Sequence, residues 1–294
     1  MRIKESKSRI LFRCVNVTVL ILLALSCLLP FVNAIAISLS EDQYVSAGRV
    51  LFWPKGFTTV SYRYLINRDS FWNSFRISII RCVLGTAITL VLVMLTAYPL
   101  SKDRSKLKGR SLYSWYFFIT MLVSGGMIPL YLLINSLKMR NTIWSLVLPG
   151  ALPVYYVVLM LNFFRQIPIE LEEAATIDGA GHLRTLFQVY IPVSLPSLAT
   201  ITLFSLVGHW NNWFDGTIYI SQPDKLPLMT FLRNAVSNLN MSEMTSADME
   251  LMKLLSDRSL KCAQIITATI PILCVYPFLQ RYFVKGMVVG SVKG

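Results

Sequence analysis

Charge is scarce in this chain: Asp, Glu, Lys and Arg make up 15% of its 294 residues while 54% are hydrophobic, too little polar surface to cover a soluble domain of this length. The scarcity is concentrated in runs. Residues 14–40, 82–101, 111–137, 141–164 and 262–280 contain no Asp, Glu, Lys or Arg, and 189–214 contains only His209 among groups that titrate near neutral pH. About 20 apolar residues in a helix cross about 30 Å of hydrocarbon, so each run is long enough to span a membrane. The expected fold class is all-α and polytopic. Six transmembrane helices are placed at about 14–38, 76–101, 111–136, 141–164, 190–214 and 262–281, within a membrane domain over 14–294 that follows a polar tail at 1–13.

Other absences exclude chemistry. Two histidines, His182 and His209, cannot build a His-rich metal site. Gly-x-x-x-x-Gly-Lys-Ser/Thr does not occur, so the chain cannot hold ATP in the P-loop manner, and any ATP that drives it binds another subunit. Cys14, Cys27, Cys82, Cys262 and Cys274 sit in or beside the expected spans without metal-ligand spacing or a pairing framework, and read as buried, inert thiols. Glu170, Glu172 and Glu173 suit the start of a helix, where the dipole favours negative charge, better than paired acid/base work. No catalytic residue, metal or cofactor is therefore expected. None of the six runs holds the mid-membrane carboxylate that an ion-coupled secondary transporter normally uses.

The formal net charge is nevertheless +13, and its placement has meaning. Arg2, Lys4, Lys7, Arg9 and Arg13 lie within the first thirteen residues, and Lys102, Arg104, Lys106, Lys108 and Arg110 fill the short link after the second expected span. The positive-inside rule puts both in the cytoplasm, together with Arg281, Lys285 and Lys293 near the other end, so both termini are expected inside a cell membrane. No basic stripe is interleaved with aromatics in the manner of a nucleic-acid surface, and contact of these basic ends with anionic membrane lipid is the more economical reading. The first apolar run, although it ends in Ala34-Ile35-Ala36, is too long for a cleaved secretory signal. On the other side, Phe52, Trp53, Phe57, Tyr62 and Tyr64 suit an interfacial aromatic segment, and 246–255 has helical spacing with a cap at Ser246.

One long polar interruption, residues 167–192, reads as a helical hairpin. Pro168 suits a first helical position, Leu171, Ala174, Ala175 and Asp178 recur at three- and four-residue spacing, and Asp178-Gly179 closes the helix; a second helix follows over about 182–190, before Pro192. Composition alone leaves open a solvated loop of no special role. Against that, Ala174 and Ala175 bury little area and make a face suited to close approach by another surface.

The pattern Glu173-Ala174-Ala175, Gly179, Val189 and Ile191-Pro192 resembles the signature loop of ABC importer membrane subunits, and Ile177-Asp178-Gly179-Ala180 looks most like the carbohydrate-importing branch. The likeness extends to Ile128-Pro129-Leu130-Tyr131, Asn141-Thr142-Ile143-Trp144 and Trp210-Asn211-Asn212-Trp213-Phe214. It implies a permease of a binding-protein-dependent sugar or oligosaccharide importer, with Glu173, Ala174, Ala175, Asp178, Gly179, Val189 and Pro192 in a loop coupled to an ATPase. The implied partners are two copies of a cytoplasmic ATP-binding subunit, a second homologous permease subunit that makes a heterodimer, and an extracytoplasmic solute-binding protein. For the solute path, Asn211, Asn212, Trp210 and Trp213 combine amides with aromatic faces, which suit sugar rings; Asn211 is the favoured pore residue, and an interfacial aromatic belt is the alternative. An ABC permease for a non-sugar solute, an ion-coupled carrier and a non-transporting scaffold are the competing readings.

Overall fold

The computed structural model describes residues 7–103, 105–237 and 256–291. Among them every regular element is helical, and the one extended pairing is an isolated antiparallel bridge between Ser40 and Phe57. A helix satisfies its own backbone polar groups, which is what a chain in hydrocarbon requires.

Among the described residues, three helices are uninterrupted and apolar enough to span: Ser8–Ser38, Asp69–Ser101 and Asp257–Pro277. The other three expected spans are each broken in two. Arg110–Leu122 and Met127–Ser136 meet at 109°, Ile143–Gly150 and Val154–Phe164 at 50°, and His182–Val193 and Leu195–Asn211 at 83°; counting each pair as one span gives six. Glycine and proline explain the breaks. Gly126 has φ +85°, a conformation that side chains with a Cβ rarely adopt, just before the second member of the first pair. Pro149 and Pro153, then Pro192 and Pro196, lie four residues apart, so each pair withdraws two amide donors within about one turn. Ahead of Pro192 the chain relaxes into a π-helical turn, Leu186–Tyr190, and it breaks at Ser194, whose N–H goes to Tyr190 O and Ile191 O at 3.0 and 3.1 Å.

The chain divides into two compact units, residues 1–69 with 235–270, and 70–234 with 271–294. In the first, Ala36, Ile37, Val45 and Val50 form a small core with Tyr44 and Cys262 packed on it. Ser259 Oγ donates to Ile37 O at 2.9 Å, and Asn33 Nδ2 donates to Leu51 O at 2.6 Å, pinning the segment after the first helix. The aromatics of that segment divide: Tyr64 is buried, whereas Phe52, Trp53 and Phe57 are exposed. The helix expected over 246–255 lies outside the described residues.

In the second unit the core runs through Val93, Ala97, Tyr98, Val157, Met160, Phe164, Leu186, Tyr190 and Ile201. It joins Asp69–Ser101, Val154–Phe164 and the 182–211 helices at the root of the 167–192 hairpin. The five cysteines are free, yet only Cys82 is buried; Cys14, Cys27 and Cys274 stand on outward faces, contrary to the sequence expectation. A small apolar thiol is as compatible with lipid as with a core.

Candidate coupling hairpin and solute cavity

The first hairpin helix is Ile169–Ile177, with Pro168 as the residue before it rather than its first member. Asp178 caps it and Gly179 follows at φ +76°. The Gly179 N–H reaches Thr176 O at 3.0 Å and the Ala180 N–H reaches Ala175 O at 2.9 Å, the paired bonds of a Schellman stop. The second helix begins at His182, as its spacing indicates, but runs on through the π turn to Val193. Pro192 therefore sits inside the helix and not at its boundary.

The hairpin has an anchored side and a bare side. On the anchored side Glu172, only 7% exposed, lies against Lys102, which is equally buried. Lys102 Nζ is 2.9 Å from Glu172 Oε2, Tyr190 Oη donates to the same oxygen at 2.8 Å, and Lys106 Nζ donates to Oε1 at 3.2 Å. The Lys102 ammonium also lies 4.0 Å from the ring centroids of both Tyr98 and Tyr190, a desolvated cation between two π faces. Burial works against the charged form of Glu172, but hydrogen bonds from Lys102 and Tyr190 and the ammonium charge outweigh it, so its pKa is held below the usual carboxylate value. Burial pulls the Lys102 pKa below its usual value while its hydrogen bond to Glu172 opposes that shift, and the pair ties the hairpin to the end of the second long helix.

On the bare side Glu173, Ala174, Asp178, Gly179 and Pro192 are exposed, while Ala175 and Val189 are half-buried. Ile177 is 86% and Leu183 64% exposed, apolar side chains left largely uncovered by the described residues.

At the other end of the same unit, a cavity of about 530 Å³ is lined by Thr89, Tyr156, Ser205, His209, Asn212 and Tyr219, among others. Arg81 and Asp215 form an ion pair in its wall, and Arg81, 1% exposed, also donates to Asn212 O at 2.9 Å. Asn212 Nδ2 donates to Asp215 Oδ2 at 3.1 Å, and its own Oδ1 accepts the Phe214 N–H at 3.2 Å, which shapes the turn between Leu195–Asn211 and Phe214–Tyr219. His209 packs on Gly85, where an added Cβ would collide with the imidazole. One cation and one anion offset each other here, and hydroxyl, amide and aromatic groups supply the remaining polarity.

The family model described as "Binding-protein-dependent transport system inner membrane component" matches residues 6–289. The chain belongs to this family. Among related permeases, the polygalacturonan/rhamnogalacturonan transport system permease protein YtcP of Bacillus subtilis (strain 168) is 39% identical over 280 residues, 94% of this chain and 96% of its own length. Protein LplC of the same organism is 39% identical over 269 residues, 91% of this chain and 90% of its own length. Among solved structures, a chain of a bacterial ABC transporter involved in import of the acidic polysaccharide alginate is 32% identical with a TM-score of 0.86, covering 96% of this chain and 99% of that one.

Within this permease, the residues singled out by sequence fall in separate places. The loop residues share the hairpin's bare face or its flank. The solute-path residues scatter: Trp210 is buried edge-on against Phe75 at 5.9 Å, and Trp213 is covered by the Arg233 guanidinium at 3.2 Å from its ring centroid. Asn212 lines the cavity, whereas the favoured Asn211 is exposed and outside the cavity lining. Asn211 is the last helical residue and Asn212 leaves the helix at ψ 110°, which turns the two amides to different sides. Sequence reasoning missed Lys102, Tyr190 and the anchoring role of Glu172, and it missed Arg81 with Asp215. The last pair left a trace, since opposite charges flank two apolar runs at ends that antiparallel spans bring together.

That pair carries a prediction. Arg81→Met strands a buried carboxylate and is expected to cost about 3–5 kcal/mol, seen as a lower melting temperature of the detergent-extracted protein. Arg81→Met combined with Asp215→Leu should recover most of the loss. A double variant as unstable as the single one would show that the pair itself is not what matters.

Proposed function

We propose that this permease subunit forms the membrane passage of an ATP-driven, binding-protein-dependent importer of a sugar or oligosaccharide, and that the 167–192 hairpin receives the movement of a separate ATPase. The observation that carries the reading is the division of the hairpin into an ionically anchored inner side and a bare outer side bearing Glu173, Ala174, Asp178 and Gly179. A lever needs a fixed root and a free contact face, and rigid-body movement of packed helices is how such a push travels. The sugar assignment leans on relatives named for polygalacturonan/rhamnogalacturonan and lactose transport and on the alginate importer, together with the hydroxyl- and aromatic-lined cavity.

The partners follow from this reading: two copies of a cytoplasmic ATP-binding subunit, a second and different permease, and an extracytoplasmic binding protein that delivers the solute. Hydrolysis belongs to the ATP-binding subunits. An ion-coupled carrier is disfavoured by Asp215, since the carboxylate nearest the cavity is already neutralised by Arg81. Affinity capture of the tagged permease from membranes should bring down an ATPase, and uptake of labelled oligosaccharide by the reconstituted assembly should need ATP and the binding protein. Uptake driven by an ion gradient without ATP would defeat the proposal.

Topology is a separate expectation: both termini and the 102–110 link face the cytoplasm. With the native cysteines replaced, a membrane-impermeant maleimide added outside cells should label Lys55→Cys and leave Ser105→Cys untouched. The opposite pattern would invert the orientation.

A further inference from the structure

We propose that this chain carries a specific site for an anionic phospholipid, with the headgroup seated between the 102–110 link and the coupling hairpin and an acyl chain lying along the adjoining apolar groove. The proposal takes the link to face the cytoplasm, as inferred above.

Two cavities meet at Arg165. The first, about 440 Å³, is lined by Lys102, Lys106, Arg110 and Arg165 against two carboxylates, Asp103 and Glu172. Glu172 is already engaged by Lys102, Lys106 and Tyr190, so it offers little to the arginines. Arg110 gives one N–H to Lys102 O at 2.8 Å and keeps the rest of its fork. Burial, and then the like charge of Arg110, hold the Arg165 pKa below its usual value, so the two guanidinium groups are close enough to repel. An anion shared by them would relieve that repulsion, and phosphate matches the guanidinium fork.

The second cavity, about 370 Å³, is a groove lined by Trp115, Phe118, Val154, Val158 and Leu161 with Arg165 at its end. Positions 154, 158, 161 and 165 recur at four- and three-residue steps, so they form one stripe along a helix. From 154 to 165 is 11 residues, a rise of about 16 Å, which is close to half of the roughly 30 Å hydrocarbon thickness. The groove is thus about one leaflet deep and ends on a guanidinium. The polar cavity alone would suit inorganic phosphate and the groove alone any acyl chain. Their continuity at Arg165 selects a molecule that has both, and basic pockets between spans on the cytoplasmic side are suited to anionic headgroups.

The test is native mass spectrometry of the assembled importer, titrated with phosphatidylglycerol or with phosphatidylcholine of the same acyl chains. Wild type should take up phosphatidylglycerol with about tenfold or greater preference, Arg165→Gln should lose that preference, and Arg165→Lys, which keeps the charge without the fork, should fall between them. Inorganic phosphate should fail to displace the lipid. Equal binding of the two lipids, a preference unchanged in Arg165→Gln, or displacement by phosphate would each overturn the site. So would lipid that binds the isolated chain but not the assembly, because the groove would then belong to a partner subunit. ATPase capture and ATP-dependent uptake would stand through any of these outcomes, which keeps failure of the site distinct from failure of the transport reading.

Discussion

Replacing Glu172 by Leu is expected to abolish coupled uptake, because it leaves the Lys102 ammonium buried between two tyrosine rings without its carboxylate. Loss of one partner from a buried pair costs about 3–5 kcal/mol, enough to detach a hairpin this small from its root. The chain should still insert, since the spans are held by the bilayer and by the core around Met160 and Ile201. Lys102→Met with Glu172→Leu removes both charges and should restore part of the uptake lost in Glu172→Leu. Uptake and ATP hydrolysis in proteoliposomes, with limited proteolysis at the hairpin, measure the effect; equal defects in the single and double variants would count against an ionic anchor. The pair also fixes a pH dependence. Glu172 has its folded pKa depressed below the ordinary carboxylate value, so its stabilisation is complete above that value and is lost as pH falls through the lower, folded one. Attachment of the hairpin should accordingly weaken on the acid side only as pH falls below the ordinary carboxylate range.

Gly179→Val is the second large effect. Gly179 sits at φ +76° with nothing within 4 Å of where its Cβ would be, so the penalty comes from the backbone conformation and not from a collision. A β-branched residue there meets a cost of about 1–3 kcal/mol, and relaxing it breaks the Schellman bonds from Gly179 and Ala180. The exposed turn has little packing to hold it in place. Normal membrane levels with lost ATPase association, or with ATP hydrolysis no longer tied to uptake, are expected. Gly125→Val is the control, because Gly125 has equally open space and no positive φ. It should not reproduce the selective defect, and wild-type coupling in Gly179→Val would remove the turn from the mechanism.

The sequence made the hairpin's stop legible because Asp178-Gly179 is a local signal: the residues that decide the conformation are the residues that adopt it. Spans were legible for the same reason, through absence of charge. Their bends were only half legible. Gly126, Pro149, Pro153, Pro192 and Pro196 are plain in the sequence, but whether a proline kinks, breaks or is absorbed depends on neighbouring helices, and Pro30 and Pro99 are absorbed. Lys102, Glu172 and Tyr190 could not be joined by inspection. Each has a sufficient local reading, as a topogenic cation, a helix-dipole acid and a helix-end aromatic, and only the tertiary fold brings them within 3 Å. Asn212 lines the cavity and Asn211 does not for a geometric reason that inspection of the sequence does not show, since at a helix end one residue decides which way a side chain points.

A photo-reactive side chain at position 177, 86% exposed on the hairpin's bare face, tests most directly that a separate ATPase pushes on this surface. Irradiated in intact cells, it is expected to attach the permease to an ATP-binding subunit, with a yield that changes when nucleotide is trapped. Attachment to lipid alone, or to no ATPase under any nucleotide condition, would contradict the role assigned to the hairpin.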